Sequence, residues 1–241
     1  MSVGLTTTGL VKRFGLRGAL DGVSLRFEPG ALNGVVGPDG AGKTTLLRIL
    51  IGLLSPTEGT LEYSLDGRPT GFAEVRPGMA YMPQRQSLYP DLSVREHMEF
   101  FADLYRLPEA VYRERAARLL EITRLERFQE RRAGRLSGGM YKKLGLICAL
   151  LQSPRVMLLD EPTNGVDPIS RREFWELLRE VVGRGVTVIV STSYMDEAQR
   201  CSKVHLLEAG KLLASGEPRR ILQERGARDF ESLFLALGTP G

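Results

Sequence analysis

Cysteine, histidine and tryptophan are scarce: the 241 residues hold two, two and one of them. Cys148 and Cys201 form no CxxC pattern, so no metal-binding or dithiol motif is read there. Two buried thiols in a reducing compartment are the simpler reading. Long apolar runs are missing as well. The run over residues 46–54 is broken by Arg48 and the one over 144–151 is short, which excludes a membrane-spanning helix by hydropathy. The N-terminus has no basic segment followed by an apolar signal core. Internal repeats and low-complexity stretches are absent too. The expectation is a cytosolic protein, carried to any membrane it serves by something else.

What is present is an ordinary globular balance, 42% hydrophobic and 26% charged, in a chain long enough to bury a substantial core. The net charge of +4 owes much to arginines between residues 113 and 135. Glu109, Glu114, Glu121, Glu126 and Glu130 are interspersed among them, the pattern of a solvated helix face laced with i,i+4 pairs. Nucleic-acid binding is therefore not expected.

Periodicity organises the chain as an α/β protein. Residues 5–13 and 19–27 read as antiparallel strands, 34–36 as a short apolar strand, and 43–54 as a helix ended by Ser55-Pro56. Strands follow at 60–63 and 79–82. From Ser93 to about residue 151 the pattern is helical, with starts marked at Ser93, Pro108 and Ser137. A buried strand at 156–159, a helix at 170–183 and a buried strand at 186–191 come next. A hairpin around Ala209-Gly210 and two short helices from Pro218 and Arg228 end the chain. Alternating strands and helices argue for a parallel sheet. The helical stretch reads as an insertion, because strand signals resume after it.

Two motifs carry chemistry. Gly37-Pro38-Asp39-Gly40-Ala41-Gly42-Lys43-Thr44 matches GxxxxGK[ST] between a strand and a helix. Its glycines let backbone N–H groups curl around phosphate oxygens. Lys43 would reach the β- and γ-phosphates, and Thr44 would place its hydroxyl on magnesium. Val156-Met157-Leu158-Leu159-Asp160-Glu161 supplies the complementary acids at the end of an apolar strand. Asp160 is the metal-side carboxylate, and Glu161 is placed to polarise an attacking water. A third element, Leu136-Ser137-Gly138-Gly139-Met140, opens a helix and offers its N-terminus to an anion.

In this order the motifs resemble the ATP-binding subunit of ABC transporters, and the resemblance covers essentially the whole chain. It implies a P-loop NTPase fold: a RecA-like parallel-sheet core, an N-terminal antiparallel β subdomain and an inserted α-helical subdomain. The implied layout is one domain over 1–241. Residues 1–87 and 153–217 would form the core, 88–152 the signature subdomain and 218–241 the C-terminal helices.

The implied cofactors are ATP and Mg²⁺. Residues 37–44 and Thr45 would bind ATP, and Phe14 would lie against adenine, unless it is a core phenylalanine. Gln84 would act in catalysis and join Thr44 and Asp160 at the metal. Ser137, Gly138 and Gly139 would contact the ATP of a second subunit, and Asp167 of the D-loop would cross that interface. The closest likeness is to the drug-export branch with ABC-2-type permeases, and within it to the N-terminal half of tandem-ATPase Ybh-type efflux subunits. A permease helix would dock near residues 84–101, and the protein would sit peripherally on the cytoplasmic face of the membrane.

Two positions depart from the family pattern. Met140 replaces the signature glutamine, and Ser193 stands where the switch histidine is expected. Serine is shorter and uncharged, so it would reach a phosphate only through a water or a shifted loop. The leading expectation is an energising ATPase subunit, homodimeric or heterodimeric. The alternative is a catalytically weak subunit that clamps ATP and supports hydrolysis in a partner. Soluble ribosomal or DNA-repair relatives rank last, since the chain has one cassette and no sustained heptads.

Overall fold

A computed structural model describes residues 2–85 and 88–238. Of the expected segments, residues 1 and 86–87 of the core stretch 1–87 (86–87 also within the expected docking stretch 84–101) and residues 239–241 of the C-terminal one lie outside the described residues. The elements run β1 (Val3–Phe14), β2 (Arg17–Phe27), β3 (Leu32–Val36), α1 (Lys43–Leu50), β4 (Glu58–Leu65), β5 (Arg68–Thr70), the one-turn α2 (Phe72–Val75) and β6 (Met79–Met82). Three helices follow: α3 (Val94–Leu104), α4 (Glu109–Thr123) and α5 (Gly138–Leu150). The chain closes with β7 (Val156–Asp160), α6 (Pro168–Gly183), β8 (Thr187–Thr192), β9 (Lys203–Glu208), β10 (Lys211–Gly216), α7 (Pro218–Glu224) and α8 (Phe230–Gly238).

Alternating burial along β1 gives one face to the core and the other to solvent. The strand pairs antiparallel with β2 and β4, forming a sheet of order β2-β1-β4-β5. By contrast β3, β7 and β8 are buried at every residue. Such strands need cover on both faces, and they lie in a six-stranded sheet of order β10-β9-β3-β8-β7-β6, antiparallel only at β10. One apolar layer, with Leu46, Leu50, Phe27 and Ile189, packs α1 between the two sheets. The other layer holds Phe174, Trp175 and Leu178 of α6 against the opposite face of the parallel sheet.

The three inserted helices share a third core. α5 belongs to two cores at once, burying Leu146 and Ala149 toward the sheet and Leu144 and Ile147 toward α3 and α4. Ser93 starts α3 with a reciprocal capping box to Glu96, at 3.1 and 2.7 Å. On the arginine-rich stretch, Arg113 pairs with Glu109 and Arg95 with Glu130.

Two local features differ from the sequence expectation. The first helix stops at Leu50 rather than residue 54. Gly52 turns left-handed at φ +76, its N–H bonds to Ile49 O, and the Leu53 N–H reaches Arg48 O, a Schellman stop. A Cβ at Gly52 would lie 2.4 Å from the Phe72 ring, so a side chain there would strain the backbone and displace that ring. The β4–β5 hairpin was unexpected, although Asp66 (φ +48) and Gly67 (φ +79) form the two-residue turn that an Asp-Gly pair favours.

Candidate nucleotide site

The phosphate loop is fixed by close packing at two glycines. A Cβ at Gly37 would sit 2.1 Å from Leu207 O, and one at Gly42 (φ +102) would sit 2.5 Å from Ala19 O. Between them the Ala41 N–H bonds to Pro38 O at 3.2 Å and tightens the curl. Gly42 caps α1, so Lys43 and Thr44 leave the loop on the first turn of a helix.

The charged groups converge beneath that loop. The buried Lys43 ammonium donates to the carbonyls of Gly37 and Pro38 at 2.7 and 2.9 Å and stands 2.9 Å from Glu161 Oε1. The contact with Glu161 is an ion pair whose angles do not make a hydrogen bond. Asp160 is fully buried and accepts hydroxyls from Thr44 (3.1 Å), Ser191 (2.7 Å) and Tyr81 (3.2 Å). Burial, and after it the Asp160 charge, pushes the Tyr81 phenol up to about 12. Tyr81 is therefore a neutral donor at any physiological pH.

Glu161 follows β7 with φ +48, a left-handed conformation that a long side chain rarely adopts. Its N–H is held by the Ser191 carbonyl (3.2 Å) and hydroxyl (3.0 Å). Its Oε2 accepts from the Ser193 N–H at 3.1 Å and the Ser193 hydroxyl at 3.3 Å. Ser193 thus faces the carboxylate directly.

Lys43, Thr44 and Glu161 open on a cavity of about 510 Å³ lined also by Asp39 to Gly42, Thr45, Phe14 and Gln84, whereas Gly37, Pro38, the fully buried Asp160 and Ser193 are not in its lining. Phe14 is 52% exposed and lines the cavity, which removes the core-phenylalanine reading; the Lys12 ammonium lies 5.2 Å from its ring centroid. Arg17, Gly18 and Ala19 complete the wall and were not anticipated. Sequence reasoning also missed Tyr81, Ser191 and Lys142. Lys142 Nζ donates to Gln84 O at 3.2 Å, and burial lowers its pKa.

The remaining motif residues lie elsewhere. Ser137 caps α5, its hydroxyl accepting the Met140 N–H at 3.3 Å. Ser137 and Gly138 are exposed and line no part of the cavity, while Gly139 is buried against Ser170. Asp167 caps α6 through the N–H groups of Ile169 and Ser170, which hold its carboxyl below the usual range.

Fold and cavity together define a P-loop nucleotide-binding domain. The "ABC transporter" family model matches residues 20–164, and the chain belongs to that family. It is 45% identical over 228 residues to a probable multidrug ABC transporter ATP-binding protein, YbhF, of Escherichia coli (strain K12), covering 94% of this chain and 39% of that one. The chain thus spans well under half the length of that relative. It is 37% identical over 231 residues to Nod factor export ATP-binding protein I of Ralstonia nicotianae, covering 95% of this chain and 72% of that one. The dimeric structure of MJ0796, a bacterial ABC transporter cassette, superposes with a TM-score of 0.76 at 27% identity, over 88% of this chain and 98% of that one. Among the described residues, no helix is long and apolar enough to cross a membrane.

Proposed function

We propose that this chain is one of two ATP-binding subunits that bind and hydrolyse ATP to energise an ABC-2-type exporter of drugs or other small molecules. It would be held peripherally at the cytoplasmic face of the membrane by its permease. One domain would span 1–241, with 1–87 and 153–217 as core, 88–152 as signature subdomain and 218–241 as C-terminal helices. The observation that carries this reading is the meeting of Lys43, Glu161 and Thr44 in the wall of one cavity, with the buried Asp160 bonded to Thr44 behind it.

In this reading the phosphates of ATP take the place of the Gly37 and Pro38 carbonyls as partners of Lys43. The loop N–H groups and the α1 terminus supply further fixed positive potential. Phe14 offers a π-face to adenine, and Gln84 lines the phosphate end. Thr44 Oγ1 and Asp160 Oδ1 stand 3.1 Å apart. That separation suits two adjacent ligands of octahedral Mg²⁺, about 2.9 Å apart when bonds are 2.0–2.1 Å. When bound, Mg²⁺ would neutralise charge on the phosphate oxygens. Glu161 would orient the attacking water and take its proton.

The exposed Ser137-Gly138 turn, outside its own cavity, suits the ATP of a second subunit in a head-to-tail dimer. The dimeric cassette that superposes on this chain supports pairing of two such subunits. A second cavity of about 510 Å³, lined by Tyr81, Pro83, Leu88, Phe101 and Tyr105, suits a cytoplasmic helix of the permease.

The weak-hydrolysis reading draws on Ser193, whose hydroxyl is spent on Glu161. Measuring MgATP affinity and ATP turnover separately in the assembled complex decides between the two. Turnover that disappears in Glu161→Gln, with affinity kept, supports the energising role. Affinity without turnover in the parent supports the other.

A further inference from the structure

The hydrolytic reading uses Glu161 and Ser193 but not the carboxylate behind them. Glu197 is fully buried, and its carboxylate is bonded to Thr163, to Thr192 and to Arg171 and Trp175 of α6. Its Oε1 accepts from Thr163 Oγ1 (2.9 Å), Arg171 Nε (3.1 Å) and Trp175 Nε1 (2.9 Å). Its Oε2 accepts from Thr192 Oγ1 (2.5 Å) and again from Thr163 (3.1 Å). Thr192 Oγ1 in turn accepts the Tyr194 N–H at 3.1 Å, so the residues on either side of Ser193 are tied to one carboxylate. Thr163 lies two residues after Glu161, so both strand ends that carry the Glu161–Ser193 contact are anchored there.

Arg171 extends the network outward. Its guanidinium pairs with Glu197 at 3.0 Å and lies 4.1 Å over the Tyr194 ring. It sits in the first turn of α6, which Asp167 of the D-loop caps. A buried charge held this way is costly to leave unpaired, so the elements that share it are constrained to move together.

We propose that Glu197 is a positioning residue for ATP hydrolysis: with Arg171 it locks the D-loop and the start of α6 to the Ser193 loop, and so sets where the Glu161 carboxylate lies. This rests on the hydrolytic reading given above. Tightening of the D-loop against a second subunit would then be read as a shift of the catalytic carboxylate.

The single tryptophan of the chain, Trp175, donates to Glu197 and reports on this centre directly. The isolated chain is titrated with MgATP while Trp175 emission is followed. Turnover of the complex is then measured for the parent, Glu197→Gln, Arg171→Met, Arg171→Lys and Thr163→Val. The expected result is that Glu197→Gln keeps MgATP affinity within about twofold and lowers kcat by about tenfold or more. Arg171→Lys should recover part of what Arg171→Met loses. In a Glu161→Gln background, the further effect of Glu197→Gln on the residual turnover should shrink to about twofold, because Glu197 acts through that carboxylate. Trp175 emission should respond to MgATP in the parent and lose that response in Arg171→Met.

Turnover unchanged in Glu197→Gln and Arg171→Met would overturn the proposal. Affinity falling in step with kcat, or effects that add in the double variant, would overturn it too. Should Glu197→Gln not fold, Thr163→Val, which removes one hydroxyl, carries the same expectation. A parent complex without turnover refutes the hydrolytic reading instead, and the Trp175 response then decides whether the network couples to nucleotide.

Discussion

Ser193 and Glu161 are joined twice: the backbone N–H and the hydroxyl of Ser193 both donate to the same carboxylate oxygen. The opposite oxygen faces Lys43. The carboxylate is thereby held between a cation and a neutral loop. No imidazole is nearby to meet a γ-phosphate, for His97 lies on α3 and His205 on β9. Ser193→His should therefore raise ATP turnover of the assembled complex by about tenfold or more, the scale of a positioned hydrogen-bonding or proton-transfer group. Steady-state ATPase assays check this, and unchanged turnover would show that serine is not the limiting feature.

Replacing Glu161 by Gln keeps the shape and removes both the ion pair with Lys43 and the proton acceptor. Turnover should fall by about 10²–10⁴-fold. MgATP affinity should hold or rise, because Lys43 is freed for phosphate. Equilibrium binding and single-turnover hydrolysis on the same preparation test both halves.

The two signature glycines should behave differently when changed to alanine. A Cβ at Gly139 would lie 2.5 Å from both Cβ and Oγ of Ser170, so Gly139→Ala should destabilise the chain by about 1–3 kcal/mol. Gly138 has only a 3.6 Å neighbour, so Gly138→Ala should leave stability unchanged and lose activity only where a second subunit's ATP is engaged. Urea unfolding of the isolated chain, set beside complex turnover, separates the two.

His205 is fully buried with Nδ1 2.8 Å from Ser215 Oγ, and burial lowers its pKa to about 3. The folded state thus prefers the neutral ring, and the unfolded chain binds the proton first. This part of the stability is complete above pH 6.5 and is lost progressively as pH falls toward 3. Between pH 7 and pH 5 the loss should be about 2 kcal/mol. His205→Gln, which cannot titrate, should flatten that slope in urea midpoints measured across the range.

Much of the site was legible because its chemistry is local. The phosphate loop needs glycines at fixed offsets, and the acids beneath it need an apolar strand ending in carboxylates. Both are strings of adjacent residues, and the parallel sheet follows from their alternation with helices. Tyr81 and Ser191 were not legible, since nothing in their own neighbourhoods marks them as donors to Asp160. Lys142 likewise reads as a surface lysine until α5 is laid beside Gln84. The short β4–β5 hairpin could have been found from Asp66-Gly67. The early end of α1 could have been found from Gly52.

Taken alone, the sequence determined the kind of nucleotide chemistry, the order of the elements apart from β5 and the short α2, and the absence of histidine at position 193. Tertiary structure decided what that absence means. Only folding brings β7 and β8 side by side so that Ser193 grips Glu161, and only folding sets Glu197 behind both. Hydrogen bonds and buried charges act over about 3 Å, whereas their partners are separated along the chain by tens of residues. The sheet register makes them neighbours.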